Sequence, residues 1–231
     1  MFHEKYATFT PFGVAHIAAI LVSLALIALL LLRLRRPLTV DRFYERAVGA
    51  VMLLTEAVFL VWQFSAFGAS PEHLPLHLCT LSLYINAIAL LSGRHGILRY
   101  TAFFSIAGAL IAIFVPMQGY TFPHFRYLHY YANHLLIIVS SLYMLRELPR
   151  ITERQMIAAE LTLTAFAVTV VHGANLAFDT EFMFFEVGDD YLSTLFAPRN
   201  LLMIAATVIV HQSFFLLYTL FYHRKNRGSR T

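Results

Sequence analysis

The 231-residue chain has one cysteine and one tryptophan, and charged residues make up only 13% of it. A single thiol excludes an intramolecular disulfide, so cysteine usage says nothing about redox compartment. So little charge, beside 59% hydrophobic residues and a mean hydropathy of +0.66, excludes an ordinary soluble domain. No linker, internal repeat, low-complexity tract or second domain can be traced, and the chain reads as one unit over residues 1–231. No Cys/His spacing of a known zinc motif occurs. No pair of spans is broken by Gly or Pro at matched positions and no inverted repeat is visible, so the usual pointers to a secondary transporter are missing. The net charge of +4 does not indicate nucleic acid, because the positive residues sit in short loops between apolar runs.

What is abundant is apolar and aromatic. Twenty-one Phe and twelve Tyr suit lipid-facing surfaces and interfacial belts. A membrane helix needs roughly 20 mostly apolar residues, and seven segments qualify: about 12–33, 46–67, 74–92, 97–117, 127–146, 156–177 and 199–222. Backbone groups in hydrocarbon must be satisfied within the chain, and these runs are too long for barrel strands. The expected fold is therefore an all-α membrane protein, a bundle of seven transmembrane helices. The first span carries Glu4 and Lys5 ahead of it and no small-residue cleavage site after it, so it reads as retained and not as a signal peptide.

Alternate loops carry the basic residues. Arg33, Arg35, Arg36, Arg42 and Arg46 flank the first; Arg94 and Arg99 the third; Arg146, Arg150 and Arg154 the fifth. Arg224, Lys225, Arg227 and Arg230 follow the last span. These are fourteen of the seventeen Lys and Arg residues, against Lys5, Arg126 and Arg199 on the opposite side. The positive-inside rule then predicts an outer N-terminus and a cytoplasmic C-terminus in a multi-pass protein of the cell membrane. The longest outer loop, 178–198, interleaves five acids (Asp179, Glu181, Glu186, Asp189, Asp190) with Phe182, Phe184, Phe185 and Tyr191.

This orientation puts most intramembrane polar residues at one depth. At ~1.5 Å per helical residue, His77 and Cys79 fall roughly 5–8 Å into the third span. Gln63 lies near the outer end of the second span, His129, Asn133 and His134 enter the fifth from the outside, and His172 and Asn175 lie near the outer end of the sixth. Arg199 opens the seventh and is the outer cation best placed for a phosphate headgroup. Glu56 lies deeper, and a mid-membrane glutamate must be protonated or paired. Each residue alone has a bland reading: an imidazole bonded to a neighbouring helix, a buried thiol acting as a small hydrophobe. The coincidence of the only thiol with several imidazoles favours a site.

Three kinds of site fit this layer. Cys79 could be a nucleophile activated by a histidine, since the thiolate is the reactive form and an apolar setting disfavours it. His77, Cys79, His134 and His172 could hold a zinc-like metal. The layer could also be a recognition pocket in a transporter or sensor, with Glu56 on a proton path. Helical geometry narrows the first. His77 and Cys79 are two residues apart, about 200° around a regular helix at 3.6 residues per turn. Cys79 shares its face with Ser82, Leu83 and Asn86, while on the fifth span His134 aligns with Tyr130 and His129 with Asn133. A pair with Cys79 therefore forms across helices, with a histidine of another span, and Pro75 permits an irregular start to the third span.

LPLHLC at the head of the third span, Pro116 closing the fourth, and FPHF…YYANH entering the fifth resemble the YwaF-like family of multi-pass membrane proteins, over roughly residues 12–177. Animal relatives of that family are described as acyltransferases that load polyunsaturated acyl chains onto ether phospholipids. The resemblance implies a catalytic pair at Cys79 and His134, with His77 as companion, and a membrane phospholipid as partner. Asn175 departs from it: Leu-Ala-Phe and a long acidic–aromatic loop follow. The resulting expectation is a lipid acyltransferase or acyl hydrolase without cofactor. His77, Asn133, His172, Asn175, Arg199, Gln63 and Glu56 would support or bind substrate.

Overall fold

The computed structural model describes residues 8–34, 41–188 and 190–227, without the side chains of 221–227. Lys5, Arg35, Arg36, Asp189 and Arg230, and the side chains of Arg224, Lys225 and Arg227, lie outside the described residues. Helices α1 (Val14–Leu34), α2 (Arg42–Phe67), α3 (Leu78–Ser92), α4 (Leu98–Phe114) and α5 (Phe125–Glu147) follow in order. Then come α6 (Glu153–Phe166), which runs through a π-helical stretch, Ala167–Val171, into α7 (His172–Phe178), a short α8 (Tyr191–Leu195) and the long α9 (Pro198–Arg227). No strand occurs among the described residues.

Among the described residues, five helical stretches are long and apolar enough to cross a membrane: Val14–Leu34, Arg42–Phe67, His95–Phe114, Glu153–Phe178 and Pro198–Leu220. Two expected spans differ. The third was expected over 74–92, but α3 has only 15 residues, about 22 Å at 1.5 Å per residue, short of a ~30 Å hydrocarbon core. Its lead-in is instead a 3₁₀ turn at Pro71–His73 followed by extended chain through Pro75, which cannot donate to a helical hydrogen bond. The fifth forms a full 23-residue helix that falls outside the apolar set. The packing accounts for its polarity: α5 is the hub, touching α1, α2, α3 and α4, and it buries Tyr127, His129, Asn133 and His134 among them.

Caps and buried polar bonds fix these helices. Asp41 accepts from the Phe43 amide at the start of α2, and Thr152 with Gln155 forms a capping box on α6. The last carbonyls of α3 have no helical partner, and Arg42 satisfies two of them, donating to Leu90 O (3.1 Å) and Leu91 O (3.2 Å) while pairing with buried Glu45. Gly93 ends α3 with φ +72°, against the same guanidinium. Between α3 and α5, the Asn86 amide donates to Ile137 O, Ser140 Oγ and Ser141 Oγ within 3.1 Å. On α9, His211 stacks 3.5 Å over the Phe104 ring and its Nδ1 lies 3.1 Å from Glu160 of α6, while its buried Nε2 has no hydrogen-bond partner among the described residues.

Helices α2 and α3 approach most closely at Gly49. A Cβ there would sit 2.8 Å from Ala87 O and 2.9 Å from Leu91 Cγ, so backbone would have to move. Gly49→Ala is expected to lower stability by about 1–3 kcal/mol, the range for overpacking a close-packed contact. Gly173, in α7, has nothing within 4 Å of an added Cβ. Gly173→Ala is therefore expected to be neutral or to stabilise by up to about 1 kcal/mol through helix propensity. Thermal unfolding of the two detergent-solubilised variants separates these signs.

Outward faces are apolar throughout the long helices: Leu21, Leu29, Leu54, Val61, Leu202 and Ile209 are all exposed. Contiguous apolar surface on this scale belongs against lipid.

Candidate functional site

The heads of α3 and α5, the second half of α2, and the loops 68–77 and 179–190 meet at one end of the bundle. Cys79 lies in the first turn of α3, half-buried, with its sulfur toward α4, where a Cβ on Gly108 would lie 3.7 Å from Sγ. Ser82, Leu83 and Asn86 on the same face are buried, as the helical wheel requires. His77 is the N-cap residue of α3 and makes no side-chain cap. Its ring leaves the thiol's face and packs edge-on against Phe182 (5.3 Å) and near Phe184 (5.9 Å) of the outer loop.

On α5, residues 126, 130 and 134 fall on one ridge, four apart. The His134 ring lies 4.3 Å from that of Tyr130, and its Nδ1 is 2.6 Å from the Tyr130 carbonyl. A carbonyl only accepts, so Nδ1 carries the proton and Nε2 is the bare, basic nitrogen. Among the described residues nothing bonds that Nε2, and it is not sealed in the interior. This is the arrangement a general base needs: one nitrogen fixed by the backbone, the other free. The thiol lies within electrostatic range of the Tyr130 phenol on the same ridge.

A second ridge of α5 faces α2. Asn133 is 2.8 Å from His129 Nε2 and 3.4 Å from Glu56 Oε2, and it accepts from Thr55 Oγ1 at 2.9 Å. Glu56 Oε2 is 3.5 Å from His129 Nε2, and His129 Nδ1 is 3.3 Å from an Arg126 Nη. The mid-membrane glutamate is thus paired, as its depth demands. Arg126 and the Asn133 amide nitrogen are both donors, and a neutral imidazole accepts at only one nitrogen. The ring therefore accepts from one of them at a time, from Asn133 at Nε2 or from Arg126 at Nδ1. His129 itself stacks on Phe59 at 4.3 Å.

The remaining expected site residues lie elsewhere. His172 and Asn175 hold the outer loop. His172 Nε2 bonds Tyr191 O at 2.9 Å; Asn175 accepts from Phe182 N (2.9 Å) and Thr180 Oγ1 (3.1 Å) and donates to Phe182 O (3.1 Å). Arg199 is half exposed and pairs with Glu181 at 3.4 Å, away from the α5 ridge. Gln63 is half-buried on α2 with no hydrogen bond to its amide among the described residues. The loop 178–198 is more ordered than its composition suggests: Phe182–Phe184 form a 3₁₀ turn, and Asp190 caps α8 by accepting from Ser193 N (2.8 Å), which holds the Asp190 carboxyl below the usual carboxylate range. Among the described residues no three His, Cys, Asp or Glu side chains gather to hold a metal. The alternative metal set His77, Cys79, His134 and His172 is spread over contacts with Phe182, Gly108, Tyr130 and Tyr191 and forms no such group.

Sequence reading passed over Arg126 and His129. Arg126 was counted as an outer-loop charge, and His129, though placed on the Asn133 face, was left out of the expected site. The available signal was their spacing, 126, 129, 130, 133 and 134, which places all five on adjoining ridges of one helix.

An all-helical chain with several helices of membrane-crossing length, apolar outward faces and a polar cluster between them is a multi-pass membrane protein. The chain belongs to the TMEM164 family, whose model matches residues 11–218. No curated protein and no solved structure matches it.

Proposed function

We propose that this protein is a membrane-embedded thiol enzyme that transfers an acyl group from a phospholipid to a second lipid or to water. It would be kin to the YwaF-like proteins and would act in the cell membrane. The topology proposed with it is seven spans, N-terminus outside, with α3 and α5 as inner helices screened from lipid by the other five. One observation carries the reading: the Nδ1 proton of His134 is committed to a backbone carbonyl and Nε2 is left without a hydrogen bond, on the α5 ridge whose Tyr130 lies within electrostatic range of the chain's only thiol.

The chemistry follows from those two groups. Cys79 Sγ attacks the ester carbonyl and passes its proton to His134 Nε2. The tetrahedral intermediate collapses, the ester C–O bond breaks, and the leaving alkoxide takes the proton back. An incoming hydroxyl or water then gives its proton to Nε2 and attacks the thioester, returning Cys79 to the thiol. The test is an acyl-donor assay on wild type, Cys79→Ala and His134→Ala protein, each checked for folding. Wild-type turnover with loss in both variants supports the pair; turnover undiminished in Cys79→Ala refutes the covalent route.

A further inference from the structure

Arg126 is a cation with an aromatic seat and, among the described residues, no carboxylate at ion-pair distance. Its guanidinium lies 4.4 Å over the Phe59 ring and 5.3 Å from the centre of Tyr130. Its only side-chain hydrogen bond among the described residues is the one to His129, at 3.3 Å. The remaining N–H groups of this half-buried side chain have no hydrogen bond to the described residues. Two aromatic faces and an imidazole bridged to Glu56 therefore fix the fork while leaving most of its five donors unused.

The location states what those donors face. Trp62, Tyr120 and Phe125 gather around the head of α5, with Trp62 5.9 Å from Tyr120 and 6.1 Å from Phe125. Amphipathic rings of this kind mark the headgroup level of a bilayer. Arg199, the other described cation at this end, is engaged with Glu181. Along α5, Arg126 stands two turns above His134, ~12 Å by helical rise, with the Tyr130 ring between them.

We infer that Arg126 is the phosphate-binding residue of this site: its unused donors take the phosphoryl oxygens of a lipid headgroup and so hold the lipid with its acyl esters at the depth of Cys79 and His134. The binding half stands alone; the depth half rests on the acyl-transfer reading. Arginine's planar fork suits two phosphoryl oxygens at once, where a lysine offers a point charge.

The test uses Cys79→Ala full-length protein in maltoside micelles, which bring no phosphate. Binding is followed by fluorescence of Trp62, the chain's single tryptophan. The ligands are dihexanoylphosphatidylcholine, dihexanoylglycerol and inorganic phosphate. The expected result is phospholipid binding at least tenfold tighter than diacylglycerol, a ratio that falls to near one in Arg126→Gln and is partly kept in Arg126→Lys. Phe59→Leu should weaken phospholipid binding several-fold, since it removes the seat. Competition by millimolar phosphate that vanishes in Arg126→Gln would assign the same site to a free anion instead of a lipid headgroup. An unchanged ratio in folded Arg126→Gln overturns the inference. If that variant does not fold, equal binding of phospholipid and diacylglycerol by the parent overturns it. An Arg126-dependent ratio in a protein whose wild type shows no acyl turnover keeps this inference and removes the acyl-transfer reading.

Discussion

Cys79→Ala is expected to abolish acyl turnover, and His134→Gln to lower it by about 10²- to 10⁴-fold, the contribution of a positioned general base. The two losses have different origins. Without Sγ there is no atom to carry the acyl group, so the two-step route is closed. Without the His134 imidazole the thiol is present, but no group at Nε2 can take its proton. Both residues act on one step, so the double variant should fall no lower than Cys79→Ala alone. That non-additivity is measurable from the rate of lipid product formation by purified protein in phosphatidylcholine vesicles. Additive losses would mean that the two side chains serve separate steps. Neither substitution should unfold the protein: Cys79 is half-buried at the head of α3, and glutamine keeps a polar group of similar reach in place of the buried His134 ring.

Asn175→Leu is expected to act on stability instead. Its fully buried amide meets the Phe182 amide, the Phe182 carbonyl and the Thr180 hydroxyl within 3.1 Å. Leucine leaves all three without their partner, and each buried unsatisfied group costs about 1–3 kcal/mol. A total loss of roughly 3 kcal/mol or more follows even after the loop relaxes. Hydrogen exchange should show it as lost protection over 179–188, the segment whose Phe182 and Phe184 cover His77. Asn175→Asp keeps the acceptor to Phe182 N and Thr180 Oγ1 but sets a buried carboxylate oxygen against Phe182 O, so it too should destabilise the loop. Both variants should keep measurable acyl-enzyme formation at low temperature, where the loop is held. A substrate-positioning residue would instead lose turnover with its loop protection intact.

The sequence was most informative where the relevant interaction is local. Helical periodicity put Cys79 with Ser82, Leu83 and Asn86, and His134 with Tyr130; the burial along α3 and the 4.3 Å contact on α5 follow those faces. The same arithmetic separated His77 from Cys79, and the ring of His77 does turn away to Phe182. Local chemistry also limited the third span: Pro75 disfavours the helical region for Leu74 before it, which is extended at φ −63° and ψ 140°, and α3 begins at Leu78.

What stayed hidden depends on partners far away in the chain. His172 and Asn175 are three apart on one face and pointed, by composition, to a site; whether their atoms meet substrate or the loop of residues 180–191 depends on how that loop folds back. Arg199 and Arg126 look alike in a count of outer charges. Only the tertiary fold gives one of them Glu181 and the other an aromatic seat beside His129. Hydropathy, finally, ranks α5 low because it assumes that every face meets lipid, whereas the faces of α5 meet four other helices.

The central claim is that Cys79 carries the acyl group. The most direct measurement is intact and peptide mass spectrometry of protein quenched in acid after mixing with a short-chain phospholipid. The account predicts a mass increase of one acyl chain, located on the peptide containing Cys79, removed by neutral hydroxylamine and absent from Cys79→Ala. Lipid turnover with no adduct on Cys79 at any quench time, or an adduct that persists in Cys79→Ala, would contradict it.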